Sequence, residues 1–344
     1  MSDERKNAFK CDQMQQCESF HFYDENGKII FGSLAEGWLY QNKQFFKEST
    51  IIKYQNLLKL YLIPEFEHYA LEDFTYVRLN EFSLKLLQFG GHKGTGLSPK
   101  TVSDIFSLLH NIFQYAENKG ISVPASHITI PIKQKKKKIR IFTIEEQKEL
   151  LSYLMEEKKH TSLGILLCFF TGLRIGEICA LKWRDISLEE KIISVRQTMQ
   201  RIQTPGNNGR KTKILVSSPK SISSIRQIPI PSPMFDLLKK VQLAFHFPTD
   251  AFLLTGSIVK YIEPRTLQYQ FKRILLKCGI KDANFHAVRH TFATRCIEIG
   301  CDVKSLSEIL GHSNINITLN CYVHPPMSLK RQNINKLSDL FFPD

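Results

Sequence analysis

Ile192-Ile193-Ser194-Val195, Lys213-Ile214-Leu215-Val216 and Arg226-Gln227-Ile228-Pro229-Ile230 are the segments whose reading decides the fold. Between Lys191 and Pro231 the apolar period is two, the spacing of a strand whose successive side chains face opposite sides. The segments predict three short strands, the first broken from the second by Pro205-Gly206-Asn207-Asn208-Gly209. On either side the apolar spacing is three and four. Ser98-Pro99 opens a helix, because proline at the first helical position loses no needed hydrogen bond. Val102, Ile105, Phe106, Leu109, Phe113 and Ala116 carry that helix on, and Gly120 is placed to close it. Ser49 can cap an earlier helix through Ile51, Ile52, Tyr54, Leu57, Leu58 and Leu62, which Pro64 is expected to stop. Thr143-Ile144-Glu145-Glu146 has the form of a capping box, with an apolar helix following from Leu163 to Phe170. The chain reads as mainly α with a small antiparallel β-sheet.

At 344 residues the chain has room for two domains. The expected divisions are an N-terminal extension (1–32) with a small hairpin around Asn26-Gly27, a helical domain (33–121), a basic linker (122–140), a mixed domain (141–330) and a tail (331–344). Within the tail Ile334, Leu337 and Leu340 give an amphipathic spacing that would serve packing on its own domain or on a neighbouring protomer. Forty-seven Lys and Arg against thirty-three Asp and Glu leave +14, and the placement says more than the sum. Lys133 to Arg140 holds six basic residues without an acid, Lys135, Lys136, Lys137 and Lys138 among them. Lys191 to Ile230 holds eight more, including Arg210, Lys211 and Lys213, again without an acid. Those fourteen are the whole excess, concentrated where a polyanion can use it. The longest apolar run, Leu163 to Phe170, is too short to cross a membrane, and the first residues lack the apolar core of a signal peptide, so a cytoplasmic chain is expected. The eight cysteines form no C-x-x-C pair and no zinc-like spacing with histidine; Cys168 and Cys179 read as small buried hydrophobes.

Four pieces carry the candidate chemistry: Thr171-Gly172-Leu173-Arg174-Ile175-Gly176-Glu177, then Pro219-Lys220-Ser221, then His286-Ala287-Val288-Arg289-His290, then Leu310-Gly311-His312 with Tyr322 ten residues on. In this order and spacing the sequence resembles the tyrosine recombinase, or phage integrase, family over roughly Ser33 to Tyr322. The resemblance implies a helical, SAM-like core-binding domain and a mixed α/β catalytic domain acting on double-stranded DNA. It matches Arg174 to the first arginine of the family and Glu177 to the acid three positions on. Lys220 matches the lysine between the second and third strands, His286 and Arg289 the H-x-x-R box, His312 the position after Leu-Gly, and Tyr322 the nucleophile. Val288 stands where leucine is common, an apolar exchange. The resemblance also implies a homotetramer on synapsed DNA, an accessory DNA-bending or directionality factor, and no metal or other cofactor.

The residue chemistry agrees. Attack on a phosphodiester gathers negative charge on the non-bridging oxygens, and two arginines can clamp both through fixed donors that never lose charge. His312 can add a donor. A phenol of pKa ~10 lies about three units from ionised at neutral pH, so Tyr322 needs a base, for which His286 is the candidate. Lys220 can protonate the leaving 5′ oxygen; Lys211 and Lys213 are its rivals, since hairpin registers slip. Glu177 is placed to orient cations. Tyr261 and Tyr269 rival Tyr322, but neither follows a Leu-Gly-His turn. Integration and excision of a mobile element by strand cutting and rejoining through a 3′-phosphotyrosine is the preferred reading. A DNA-binding regulator with a dead site and a type IB topoisomerase-like enzyme remain as alternatives.

Overall fold

The structure, a computed structural model, describes residues 27–91, 94–134, 139–157, 159–204, 212–218 and 222–322, with positions 327, 330, 331, 334, 335 and 341. Contacts gather the chain into two units, Met1–Lys137 and Lys138–Asp344. The first contains α1 (Phe31–Asn42), α2 (Glu48–Leu57), α3 (Ile63–Phe66), α4 (Tyr76–Phe89) and α5 (Pro99–Asn118). Ser98 caps α5 as expected, its Oγ accepting the Thr101 N–H at 3.2 Å, and Val102, Ile105, Leu109, Phe113 and Ala116 are buried. The core is aromatic: the Phe66 ring stands 4.7 Å from Phe82 and 4.9 Å from Phe74, and Phe74 stands 5.1 Å from Phe113. Each such edge-to-face or tilted pair adds roughly 0.5–1.5 kcal/mol beyond the area it buries.

Three expectations are corrected here. Helix α2 begins at Glu48, whose carboxylate suits the positive end of the helix, and Ser49 lies inside it without a capping role. Pro64 does not stop the chain of turns. Leu58–Leu62 widens into a π-turn, in which the Ile63 N–H reaches back to Leu58 O, and ordinary pairing resumes with Glu67 N–H on Ile63 O at 3.0 Å. The wide turn makes room for a ring that would otherwise press on the preceding carbonyl. Most of the hairpin around Asn26-Gly27 lies outside the described residues. Phe31, expected within the N-terminal extension, instead starts α1: Ile30 bridges to Ala70, and Phe31 is buried between Phe66 and Phe74.

The second unit contains α6 (Ile144–Glu156), α7 (His160–Thr171), α8 (Ile175–Ala180), β1 (Ile186–Ser187), β2 (Ile192–Val195), β3 (Thr198–Gln203), β4 (Thr212–Ser217) and β5 (Arg226–Pro229), followed by α9 (Ser232–Phe245), α10 (Pro264–Lys277), α11 (His286–Glu298), α12 (Val303–Leu310) and α13 (Ile315–Tyr322). The capping box forms in both directions: Thr143 N–H donates to Glu146 Oε2 at 2.9 Å and Glu146 N–H donates to Thr143 Oγ1 at 3.1 Å. The apolar α7 lies against α6 and α11, with Ile165, Leu166, Leu167 and Cys168 buried.

The sheet is richer than the sequence predicts. β2 is the centre of an antiparallel sheet ordered β1-β2-β5, with Ile193 opposite Ile228 and Val195 opposite Arg226. β4 does not join it but pairs with β3 in a separate hairpin, Thr198 opposite Ser217 through Gln203 opposite Thr212. Two strands, β1 and β3, go unpredicted. β1 is two residues long, and in β3 the buried positions Met199 and Ile202 are three apart, so neither shows a period of two.

Candidate active site

The site is built on two turns and one helix of the second unit. The first follows α7. Gly172 adopts φ 65°, and a Cβ there would stand 2.6 Å from Phe292 Cδ1 and 2.8 Å from Leu310 Cδ2, so glycine is required both for conformation and for space. Two residues later Arg174 forms the N-terminal boundary of α8. Its backbone N–H donates to Glu177 Oε2 at 2.9 Å, its Nη1 to Glu177 Oε1 at 2.7 Å, and its Nη2 to Gly311 O at 3.0 Å. Gly176 lets α8 sit on β3, since a Cβ there would come within 2.6 Å of Thr198 Oγ1 and 2.7 Å of Met199 O.

The second piece is α11. Arg289, 2% exposed, donates from Nη1 to Gly172 O at 2.8 Å and from Nη2 to Leu310 O at 2.8 Å and His312 Nε2 at 2.9 Å. The same helix is pinned to the segment entering the unit: Phe142 N–H donates to Thr291 Oγ1 at 3.0 Å, and Arg295 Nη2 donates to Phe142 O at 2.8 Å. His286 stands at the exposed start of α11, its ring edge-on to His290 at 4.4 Å. Desolvation by neighbouring protein, then His290, Arg289 and Arg174, push its pKa down to about 4.

The third is the turn closing α12, where Gly311 adopts φ 65°. His312 Nδ1 lies 2.7 Å from Thr318 Oγ1, and Thr318 is fully buried in α13. A guanidinium only donates, so Nε2 accepts from Arg289, the ring proton sits on Nδ1, and Thr318 Oγ1 accepts it. Burial, then Arg289, Arg174, Arg226 and His286, push the His312 pKa down to about 4, which keeps the ring neutral at pH 7. The sequence expectation of His312 as a donor thus meets a geometry in which its Nε2 is an acceptor. Tyr322 is the last residue of α13, four residues after Thr318.

Arg174, Glu177, His286, Arg289 and His312 therefore come together. Lys220, Lys135, Lys136, Lys137, Lys138, Arg210 and Lys211 lie outside the described residues. Lys213 is described: it is exposed on β4, opposite Ile202. Tyr261 and Tyr269 are exposed. Cys168 is fully buried near the cluster, where desolvation raises its thiol pKa well above the ordinary value. Sequence reasoning missed Arg226 and Thr318. Arg226 Nη1 and Nη2 grip Glu177 Oε1 and Oε2 at 3.1 and 2.9 Å, and Nε donates to Ile309 O at 2.5 Å. Burial works to raise the Glu177 pKa, but the Arg226 and Arg174 guanidiniums outweigh it and hold it below the usual carboxylate value. No motif in the sequence marks either residue: Arg226 heads the third predicted strand and Thr318 lies in a helical segment, ordinary places for both.

Chemically the cluster is a set of guanidinium donors fixed to backbone carbonyls, with two neutral imidazoles beside them. Among the described residues no group of three His, Cys, Asp or Glu could hold a metal ion, and no helix is long and apolar enough to cross a membrane.

The matches to known proteins fall on both units. Residues 140–328 match the phage integrase family, and residues 30–87 match the phage integrase N-terminal SAM-like domain. A "tyrosine recombinase XerC-like" protein of Caldanaerobacter subterraneus subsp. tengcongensis is 32% identical over 337 residues, covering 91% of this chain and 84% of that protein. Among solved structures, the Tn1549 transposon integrase in complex with transposon right end DNA superposes with a TM-score of 0.71 at 22% identity, covering 89% of this chain and 99% of that one. A lambda integrase tetramer bound to a Holliday junction gives a TM-score of 0.60 at 18% identity, covering 86% of this chain and 78% of that one.

Proposed function

The chain belongs to the phage integrase family, and on that premise we propose that it is a site-specific DNA recombinase that integrates and excises a mobile element. The observation that carries the reading is the convergence of Arg174 Nη2 and Arg289 Nη2 on the adjacent carbonyls of Gly311 and Leu310. Guanidiniums anchored this way are held in place before substrate arrives, and preorganised donors are what a developing phosphorane charge requires. Tyr322 attacks the phosphorus, its proton passing to neutral His286. The P–O5′ bond breaks, a 3′-phosphotyrosine forms, and the leaving 5′ oxygen takes a proton from Lys220. Arg174 and Arg289 hold the non-bridging oxygens. His312 joins them once phosphate draws Arg289 Nη2 away or the ring gains a proton. Rejoining runs the same steps backward with a new 5′ hydroxyl, so the diester energy is kept and no nucleotide is spent.

The first unit is read as the core-binding domain, the basic segments as contacts to duplex phosphates, and a homotetramer on synapsed DNA in the cytoplasm as the working form, helped by an accessory DNA-bending or directionality factor. A nicked suicide duplex carrying the attachment repeat that flanks the gene tests the reading. Wild type should accumulate a covalent protein–DNA adduct and Tyr322→Phe none. Adduct at wild-type yield from the phenylalanine variant refutes the nucleophile, and wild-type binding without nicking favours a DNA-binding regulator. Absence of any attachment repeat around the gene would overturn the mobile-element role alone.

A further inference from the structure

Arg226 takes no part in that scheme, yet it holds everything that holds Arg174. Its side chain is 6% exposed, and its Nε, Nη1 and Nη2 all donate to protein acceptors: Ile309 O, both oxygens of Glu177, and Ser224 O. Through Nη1 and Nη2 it grips both oxygens of Glu177, the carboxylate that orients Arg174 through Nη1 and through the backbone N–H. Through Nε it grips Ile309 O, and a Cβ on Gly311 would stand 3.0 Å from its Cδ, so the turn whose Gly311 carbonyl receives Arg174 Nη2 rests on the Arg226 stem. Strand β5 thereby carries a cation to the far side of the same carboxylate.

The charges give this arrangement a purpose. Arg174 and Glu177 alone would form a neutral ion pair, a poor partner for a phosphate that gains charge. With Arg226 on the other edge of the carboxylate, the three groups sum to +1. We propose that Arg226 is a positioning residue for strand cleavage: it takes up the charge of Glu177, so that Glu177 can orient Arg174 without neutralising it, and it fixes the Ile309–Gly311 turn on which the active-site arginines are aimed. Such a role rests on the recombinase reading, since it has meaning only if Arg174 faces a phosphate. It predicts that charge matters at position 226 more than shape, and that the harm of losing that charge is carried by Glu177.

The test is single-turnover cleavage of the suicide duplex at saturating DNA, with duplex Kd and thermal melting measured on each variant. Arg226→Met should slow cleavage by roughly 10²–10³-fold, the usual loss when a fixed electrostatic element leaves a site, while Kd changes by less than about threefold. Arg226→Lys keeps the charge and should stay within about tenfold of wild type, although it lacks the planar fork. Glu177→Gln combined with Arg226→Met restores the net charge and should cleave at least about tenfold faster than Arg226→Met alone, a positive coupling that loss of packing would not give. A folded Arg226→Met variant that cleaves at the wild-type rate overturns the proposal. So does an Arg226→Lys variant as slow as the methionine variant, or a double variant with no recovery. If Arg226→Met fails to melt cooperatively, the lysine variant and the double variant decide alone: rates more than about a hundredfold below wild type in both, with each protein folded, overturn it. Wild type that forms no adduct sinks the recombinase reading and this inference together, whereas wild type that cleaves beside an unaffected Arg226→Met sinks this inference only.

Discussion

Replacing Gly172 with alanine tests how a single turn aims the chemistry. Two costs follow from its geometry. At φ 65° an alanine pays roughly 1–2 kcal/mol for the left-handed conformation. Its methyl would lie 2.6 Å from Phe292 Cδ1 and 2.8 Å from Leu310 Cδ2, and overpacking of this kind costs roughly 1–3 kcal/mol. The sum is about 2–5 kcal/mol, which for a unit of this size lowers the melting temperature by roughly 4–20 °C. Gly279→Ala is the internal control: it shares φ 65° but has nothing within 4 Å, so it bears the conformational cost alone. Calorimetry of both variants should therefore show Gly172→Ala melting several degrees below Gly279→Ala. The displaced turn also carries Gly172 O, which receives Arg289 Nη1 at 2.8 Å, so adduct formation below the melting range should slow by about tenfold or more, within the range expected when a catalytic group is misplaced by a fraction of an ångström. Equal melting of the two variants would refute the packing half of this reasoning. A destabilised Gly172→Ala that cleaves at the wild-type rate would refute the link from turn to arginine.

Thr143→Ala removes one half of the capping box at the entrance to the second unit and should cost about 1 kcal/mol, read as a shift of the calorimetric transition; Thr143→Ser should retain most of it. His286 and His312 titrate near 4 in the folded protein against ~6.5 unfolded, so the unfolded chain binds more protons in between: stability should be level above pH 6.5 and fall as pH drops from 6.5 toward 4. Ring-proton NMR that finds His312 titrating above 6 in the free protein would contradict the Arg289–His312–Thr318 geometry. If the lysine run contacts phosphates, log K for the duplex should fall with log salt by about 0.9 per phosphate neutralised, and replacing Lys135, Lys136, Lys137 and Lys138 with alanine should lessen that slope by up to about 3.6; an unchanged slope would remove the run from the interface.

What the sequence showed of the fold was whatever a local rule specifies. Ser98-Pro99, Gly120 and Thr143-x-x-Glu146 announce helix ends because the groups that satisfy the free N–H and C=O lie within a few residues of them. The misreadings came where a distant neighbour overrides the local signal. Phe31 follows Ile29 and Ile30 in a short apolar run that reads as extended chain, but Tyr69 O receives its N–H at 2.9 Å and the aromatic core receives its ring, so it begins a helix. Pro64 is a stop signal only if the turn before it is an ordinary α-turn, and Leu58–Leu62 is not. β3 escaped because its two buried residues, Met199 and Ile202, are set by packing on α8 and α10 and by pairing with β4, contacts that leave no period of two in the sequence.

The site divides the same way, and the division explains why Arg226 and Thr318 were invisible. Arg174, Glu177 and His312 sit in short motifs whose glycines have backbone reasons to be there: Gly172 and Gly311 must adopt positive φ, and Gly176 must let β3 approach; His286 and Arg289 sit three apart on one helix. A motif built on backbone turns survives being read in one dimension. Arg226 and Thr318 act instead through partners 49 and 6 positions away in sequence, on Glu177 and His312, from a strand and a helix where arginine and threonine are unremarkable choices. Their importance comes from burial, since a guanidinium and a hydroxyl withdrawn from water must find partners or forfeit stability. The partners they find are the residues expected at the scissile phosphate. Fixing a cation therefore takes a second set of polar groups behind it, and in this chain that set is recognisable only once the strand β5 and the helix α13 are brought against the Leu310-Gly311-His312 turn.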